Sequence, residues 1–151
     1  MLREAFSERL KDAMRAKDAS TVGTLRMVMA ALKDRDIASR GGEHNGTIPE
    51  GEILRLLQGM VKQRRESITL YQQGNRPELV AKEEGEIAII ESFLPKQMSE
   101  DEVAAAVKSA IADTGAAGIK DMGKVMVALR ERHTGVLDMA KAGAVVKQQL
   151  G

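Results

Sequence analysis

The stretch Glu91-Ser92-Phe93-Leu94-Pro95-Lys96-Gln97-Met98-Ser99-Glu100-Asp101-Glu102 contains a helix stop followed closely by a helix start. At Leu94-Pro95 the proline ring clashes with the preceding helical turn and pushes residue 94 out of the helical region. At Ser99-x-x-Glu102 the hydroxyl can accept from a first-turn N–H while the glutamate reaches back to the N–H of Ser99. The acids at 100 to 102 suit the positive end of the helix dipole. This joint predicts a boundary near residue 97, with an N-terminal helical domain over 1–97 and a second over 98–151.

Outward from the joint, every periodic stretch reads as helix. Leu2, Phe6, Leu10, Ala13 and Met14 recur at spacings of three and four, which predicts a helix over 2–17. After Lys17-Asp18-Ala19-Ser20, with Asp18 or Ser20 as cap, Leu25, Val28, Met29 and Leu32 carry a second helix to about 39. The glycine-rich run from Arg40 to Pro49 predicts an exposed, disordered loop. A third helix runs from Pro49 to Gln73 on Ile53, Leu56, Leu57, Met60, Val61, the stem of Arg64, Ile68 and Tyr71. Gly74 reads as its left-handed cap and Asn75 as the next N-cap, opening a helix over 76–94 that folds back as a hairpin. Beyond the joint, helices are expected over 99–114, 120–133 and from an Asp138 cap to the end. With no strand-like alternation, the expectation is all-α: a four-helix bundle-like domain and then a three-helix domain.

Composition excludes several chemistries. There is no cysteine, so disulfides, thiolate metal sites and cysteine nucleophiles are ruled out. No apolar run approaches the ~20 residues of a membrane span, and acids among the first residues argue against a signal peptide, so the expected location is cytoplasmic. The aromatic residues are Phe6, Tyr71 and Phe93, which removes the stacking platforms of single-strand recognition. His44 and His133 stand far apart, and no nucleophile motif or phosphate loop occurs. No catalytic residue, metal ligand or cofactor is expected. Glu83 and Glu86 read as exposed solubilising glutamates rather than an acid–base dyad.

Charge is distributed unevenly. Residues 55–76 carry five bases against Glu66, whereas 77–102 carry eight acids against Lys82 and Lys96. The third and fourth helices are therefore expected to pair charges across their hairpin, and the acidic 77–102 face is a candidate surface for a basic protein partner. Residues 120–151 hold Lys120, Lys124, Arg130, Arg132, Lys141 and Lys147 against three acids, a candidate patch for a phosphate backbone.

Val61-Lys62-Gln63-Arg64-Arg65-Glu66-Ser67-Ile68, Glu83-x-x-Glu86-Ile87, Phe93-Leu94-Pro95-Lys96-Gln97-Met98-Ser99-Glu100 and Asp121-Met122-Gly123-Lys124-Val125-Met126 follow one another along the chain. In that order they resemble the bacterial YqeY-like proteins. The resemblance implies a C-terminal part similar to the tail domain of GatB, the B subunit of the aspartyl/glutamyl-tRNA amidotransferase, which contacts tRNA. It implies a non-catalytic, tRNA-binding accessory protein, with Lys120, Gly123, Lys124, Arg130, Arg132, His133, Lys141 and Lys147 as RNA-binding candidates. The family's label also implies a carbon–nitrogen ligase using glutamine as amido-N-donor, and a protein-interaction module is a further alternative. Gly123-Lys124-Val125-Met126 and Gly135 fall on the tail's elements. Leu137 and Met139 depart from the small residue and glycine usual beside Asp138, and are expected to obstruct RNA approaching that turn. Gly123 costs a helix ~1 kcal/mol relative to alanine; it admits either a neighbouring helix or an RNA backbone.

Overall fold

The computed structural model describes residues Met1–Gly151 and is entirely helical. The chain divides into two compact units, Met1–Leu94 and Pro95–Gly151. Gln97, which the sequence reading gives to the first domain, belongs to the second unit, where its side-chain amide donates to the carbonyl of Gly135 at 2.7 Å.

The first unit holds α1 (Leu2–Arg15), α2 (Ala19–Ala38), α3 (Glu50–Gln73) and α4 (Pro77–Glu91). Its core joins Phe6, Val28, Leu32, Ile53, Leu57, Met60, Val61, Ile87 and Ile90, with α3 packed along α4, and α2 against both. Phe6 meets Phe93 edge to face at 4.9 Å between ring centroids. α4 stops three residues before the expected Leu94. Phe93 and Leu94 donate to Ile90 and Glu91, so the last turn tightens to i→i−3 bonds ahead of Pro95.

Two helix ends of the first unit place residues other than glycine in the left-handed position. At the end of α3 the left-handed position belongs to Asn75 (φ 52), while Gly74 sits at φ −84. Arg76 N–H reaches Tyr71 and Asn75 N–H reaches Gln72, so the helix closes one residue later than expected and Arg76, not Asn75, caps α4. The same pattern ends α1 on Lys17 at φ 55, with Asp18 N–H on Ala13 and Lys17 N–H on Met14. Left-handed backbone costs an L-residue about 1 kcal/mol or more. Lys17→Gly is therefore expected to stabilise the protein by about 1 kcal/mol, read as a raised thermal midpoint.

The loop after α2 is pinned, contrary to the expected disorder. Arg3 donates to both carboxylate oxygens of Asp36 at 2.8 Å, and to Ile48 carbonyl at 3.0 Å. Asp36 also accepts from Ile48 N–H at 2.9 Å, Gly46 N–H reaches Ser39 Oγ, and Ile48 is buried. The Arg3 guanidinium, with the Ile48 amide, holds the Asp36 carboxyl down at about 2, against an ordinary 3.8. The sign is that of a depressed acid: its contribution is full above about pH 4 and lost as pH falls toward 2. Arg3 is a third exposed, so about 1 kcal/mol is at stake. Asp36→Asn is expected to remove that amount at neutral pH and to flatten the acid limb of a melting profile between pH 4 and 2.

The second unit holds α5 (Glu100–Thr114), α6 (Met122–Arg132) and α7 (Met139–Leu150), with a 3-10 turn at Ile119–Asp121 before α6. Ser99 Oγ accepts from Glu102 N–H at 3.2 Å, and Glu102 accepts from Ser99 N–H at 3.1 Å. Gly115 ends α5 in the left-handed conformation, and Asp138 caps α7 through Ala140 and Lys141 N–H. Val103, Val107, Ala110, Val125, Leu129, Leu137, Ala142 and Val146 form the core.

Candidate functional site

The cations expected to meet RNA lie on the second unit's helices and the turn before α6. Lys120, Lys124, Arg130, Arg132, Lys141 and Lys147 are all exposed. Two of them have carboxylate neighbours: Lys124 Nζ stands 3.8 Å from Asp121, and Arg132 lies 2.9 Å from Asp113. Both pairs are open to solvent, where such contacts contribute about 0–1 kcal/mol and yield readily to a stronger anion. Lys120, Arg130, Lys141 and Lys147 enter no ion pair. On α6, Lys124 and Arg130 are about 120° apart around the axis, and Lys141 and Lys147 have the same offset on α7. Gly123 and Val127 lie between the α6 cations, and Val127 is 54% exposed. His133 follows α6, half-buried, its backbone N–H bonded to Leu129.

Gly123 is not where a helix packs closely. A Cβ built there meets nothing within 4 Å, whereas at Gly143 of α7 it would touch the methyl ends of Met122 and Met126 at 3.7 Å. The helix-approach reading of Gly123 is thereby removed; Gly143 faces α6 at ordinary van der Waals range. Leu137 is only 1% exposed and Met139 packs on the same core. Leu137 therefore does not project from the turn and cannot obstruct it, while Met139 stays partly exposed. Gly135 is buried at φ 81, a backbone conformation that an L side chain would strain.

The sequence reading missed a second constellation, in the first unit. Arg64 is 7% exposed, its whole guanidinium drawn inside rather than only its stem. Nε donates to Glu86 at 3.0 Å and lies 4.0 Å from Glu83, while the two terminal nitrogens donate to Met60 carbonyl at 3.0 Å and Met27 Sδ at 2.9 Å. Glu83 and Glu86, three residues apart on one face of α4, are largely buried against this arginine and are not the solubilising glutamates expected. The signal was present in the sequence, since Arg64 continues the apolar stripe of α3. Arg65 bridges loosely to Glu91 at 3.5 Å, Arg76 pairs with Glu78, and Glu102 serves its capping box. The acidic 77–102 segment is thus largely engaged internally, leaving Glu84, Glu100 and Asp101 outward. No group of three or more His, Asp or Glu side chains is gathered to hold a metal ion.

A family model described as Yqey-like protein matches residues 3–150. The chain belongs to the YqeY-like family. Its curated relatives include yeast proteins named altered inheritance of mitochondria protein 41, mitochondrial. The one from Saccharomyces cerevisiae strain YJM789 is 33% identical over 85 residues, covering 56% of this chain and 44% of that protein. Its counterpart in Lachancea thermotolerans is 34% identical over 85 residues, with 56% and 43% covered. The YqeY-like chain thus spans less than half the length of these relatives. Their name assigns mitochondria to those proteins. In the YqeY-like chain, no helix is long and apolar enough to cross a membrane.

Proposed function

We propose that this YqeY-like chain is a non-catalytic RNA-binding accessory protein, cytoplasmic on composition, whose second unit meets the phosphate backbone of folded RNA such as tRNA. The observation that carries the reading is the open first turn of α6: an exposed glycine with no packing role, flanked by Lys120 and Lys124. A side-chain-free backbone position lets a bulky polyanion come close, and the flanking ammonium groups supply point charges at that distance. Arg130, Lys141 and Lys147, which enter no ion pair, extend the positive surface, and Arg132 and His133 add donors at the end of α6. All three aromatic residues lie in the first unit, so the second meets RNA through charge and shape rather than base stacking.

The test is a pair of variants with opposite effects on stability and affinity. Gly123→Ala is expected to stabilise the protein by up to about 1 kcal/mol, because helix propensity improves and nothing is displaced, while weakening tRNA binding. Lys124→Glu is expected to weaken binding across all tRNAs alike with the fold intact. Unchanged affinity in both variants, measured by titration of labelled tRNA, would overturn the reading.

A further inference from the structure

The first unit carries a surface that this reading leaves unused. Between α1 and α2 runs an open groove of about 410 Å³, lined by Arg3, Phe6, Ser7, Met29, Ala30, Leu32, Lys33 and Asp36. Its floor is apolar: Phe6 and Leu32 are core residues, and Met29 packs on the same cluster. The groove's two opposite charges cancel, since Arg3 and Asp36 are locked together. Lys33 enters no ion pair. Arg26, also outside any ion pair, precedes Lys33 by two helical turns and so lies on the same side of α2. On the facing helix, Leu10 and Met14 continue the line of Arg3 and Ser7, and Met14 is 52% exposed. The span from Arg3 to Met14 is about 16 Å, or three helical turns. α2 has apolar residues around most of its circumference, with Met27 and Ile37 exposed as well. That pattern suits a helix covered on more than one side.

We infer that the α1–α2 groove is a docking site for an acidic amphipathic helix of a protein partner. The partner's apolar residues, at spacings of three and four, rest on Met29, Ala30 and Met14, with Phe6 and Leu32 buried beneath them, and its carboxylates meet Lys33 and Arg26. This is the helix-in-groove mode of recognition, with the cationic rim setting orientation and excluding basic helices. The inference is independent of RNA binding, which is assigned to the other unit.

The probe is a labelled, end-blocked helical peptide of about four turns, with leucines along one face and glutamates elsewhere. A twin peptide carries lysine in place of each glutamate. Fluorescence anisotropy on the full chain is expected to show binding of the acidic peptide only. Arg26→Glu with Lys33→Glu is expected to weaken it about tenfold or more and to admit the basic twin. Amide shifts on titration should centre on Ser7, Ala30 and Lys33. No binding at about 1 mM peptide, equal binding of the twins, or indifference to the double charge reversal would each overturn the assignment. Both substitutions are at exposed positions, so the variants are expected to melt within a few degrees of the parent.

Discussion

Arg64→Ala is expected to destabilise the first unit by about 3 kcal/mol or more, one of the two largest effects of any single substitution considered. The guanidinium is the counter-charge of Glu83 and Glu86, and it also satisfies the Met60 carbonyl. Truncation leaves two largely buried carboxylates one helical turn apart with no cation between them. Removing one partner of a buried ion pair costs about 3–5 kcal/mol, most of it the penalty of the stranded charge. Solvent still reaches the glutamates in part, which favours the lower end of that range. The combination Arg64→Met with Glu83→Gln and Glu86→Leu is expected to recover most of the loss, because the stranded charge is gone and volume is kept. Denaturant titration checks both. A single variant within 1 kcal/mol of the parent would mean that the cluster contributes no more than a surface ion pair.

The second large effect is expected in the other unit. Leu137→Ala removes a side chain that is 1% exposed among Val103, Val107, Val125, Leu129 and Val146. Leucine-to-alanine truncation in a packed core costs about 2–5 kcal/mol, set by how far the surroundings collapse. A core of aliphatic residues in a unit this small has little else to lose. The thermal midpoint of the second unit should fall by roughly 10 °C or more. Hydrogen exchange should place the lost protection in α5, α6 and α7 while α3 and α4 keep theirs. If Leu137 instead sat at the surface of the turn, the substitution would cost a few tenths of a kcal/mol. The contrast with Gly123→Ala, expected to stabilise, separates core from open surface within the same unit.

The elements legible in the sequence were those written in local chemistry. The Ser99–Glu102 capping box, the Asp138 cap and the Gly115 terminus each depend on residues within one turn of each other, and each stands where the pattern placed it. The helical stripes were legible for the same reason. What escaped depends on partners far along the chain. Arg3 with Asp36 and Ile48 anchors a loop whose glycines and asparagine alone suggested disorder. Charge pairing across the α3–α4 hairpin was legible, and Arg64 and Arg65 make it; what escaped is that Glu83 and Glu86 are drawn largely out of solvent against Arg64. At the end of α3, propensity favoured Gly74 for the left-handed turn, but the hairpin closes one residue later, and Asn75 takes the position. At the candidate site the cations were legible as a cluster in sequence. Their pairing was not, since only the folded helices reveal that Asp121 and Asp113 attend Lys124 and Arg132.

The measurement that bears most directly on the account is the salt dependence of tRNA affinity for the intact chain, with and without charge reversal on the second unit. Titrations between about 50 and 200 mM salt should show affinity falling steeply and linearly on logarithmic axes. Neutralising Lys124 should lower that slope by about one, and reversing Lys120, Lys141 and Lys147 together should abolish binding while the helical signal is unchanged. A tRNA affinity indifferent to both salt and these reversals, or no binding at micromolar protein in low salt, would contradict the account.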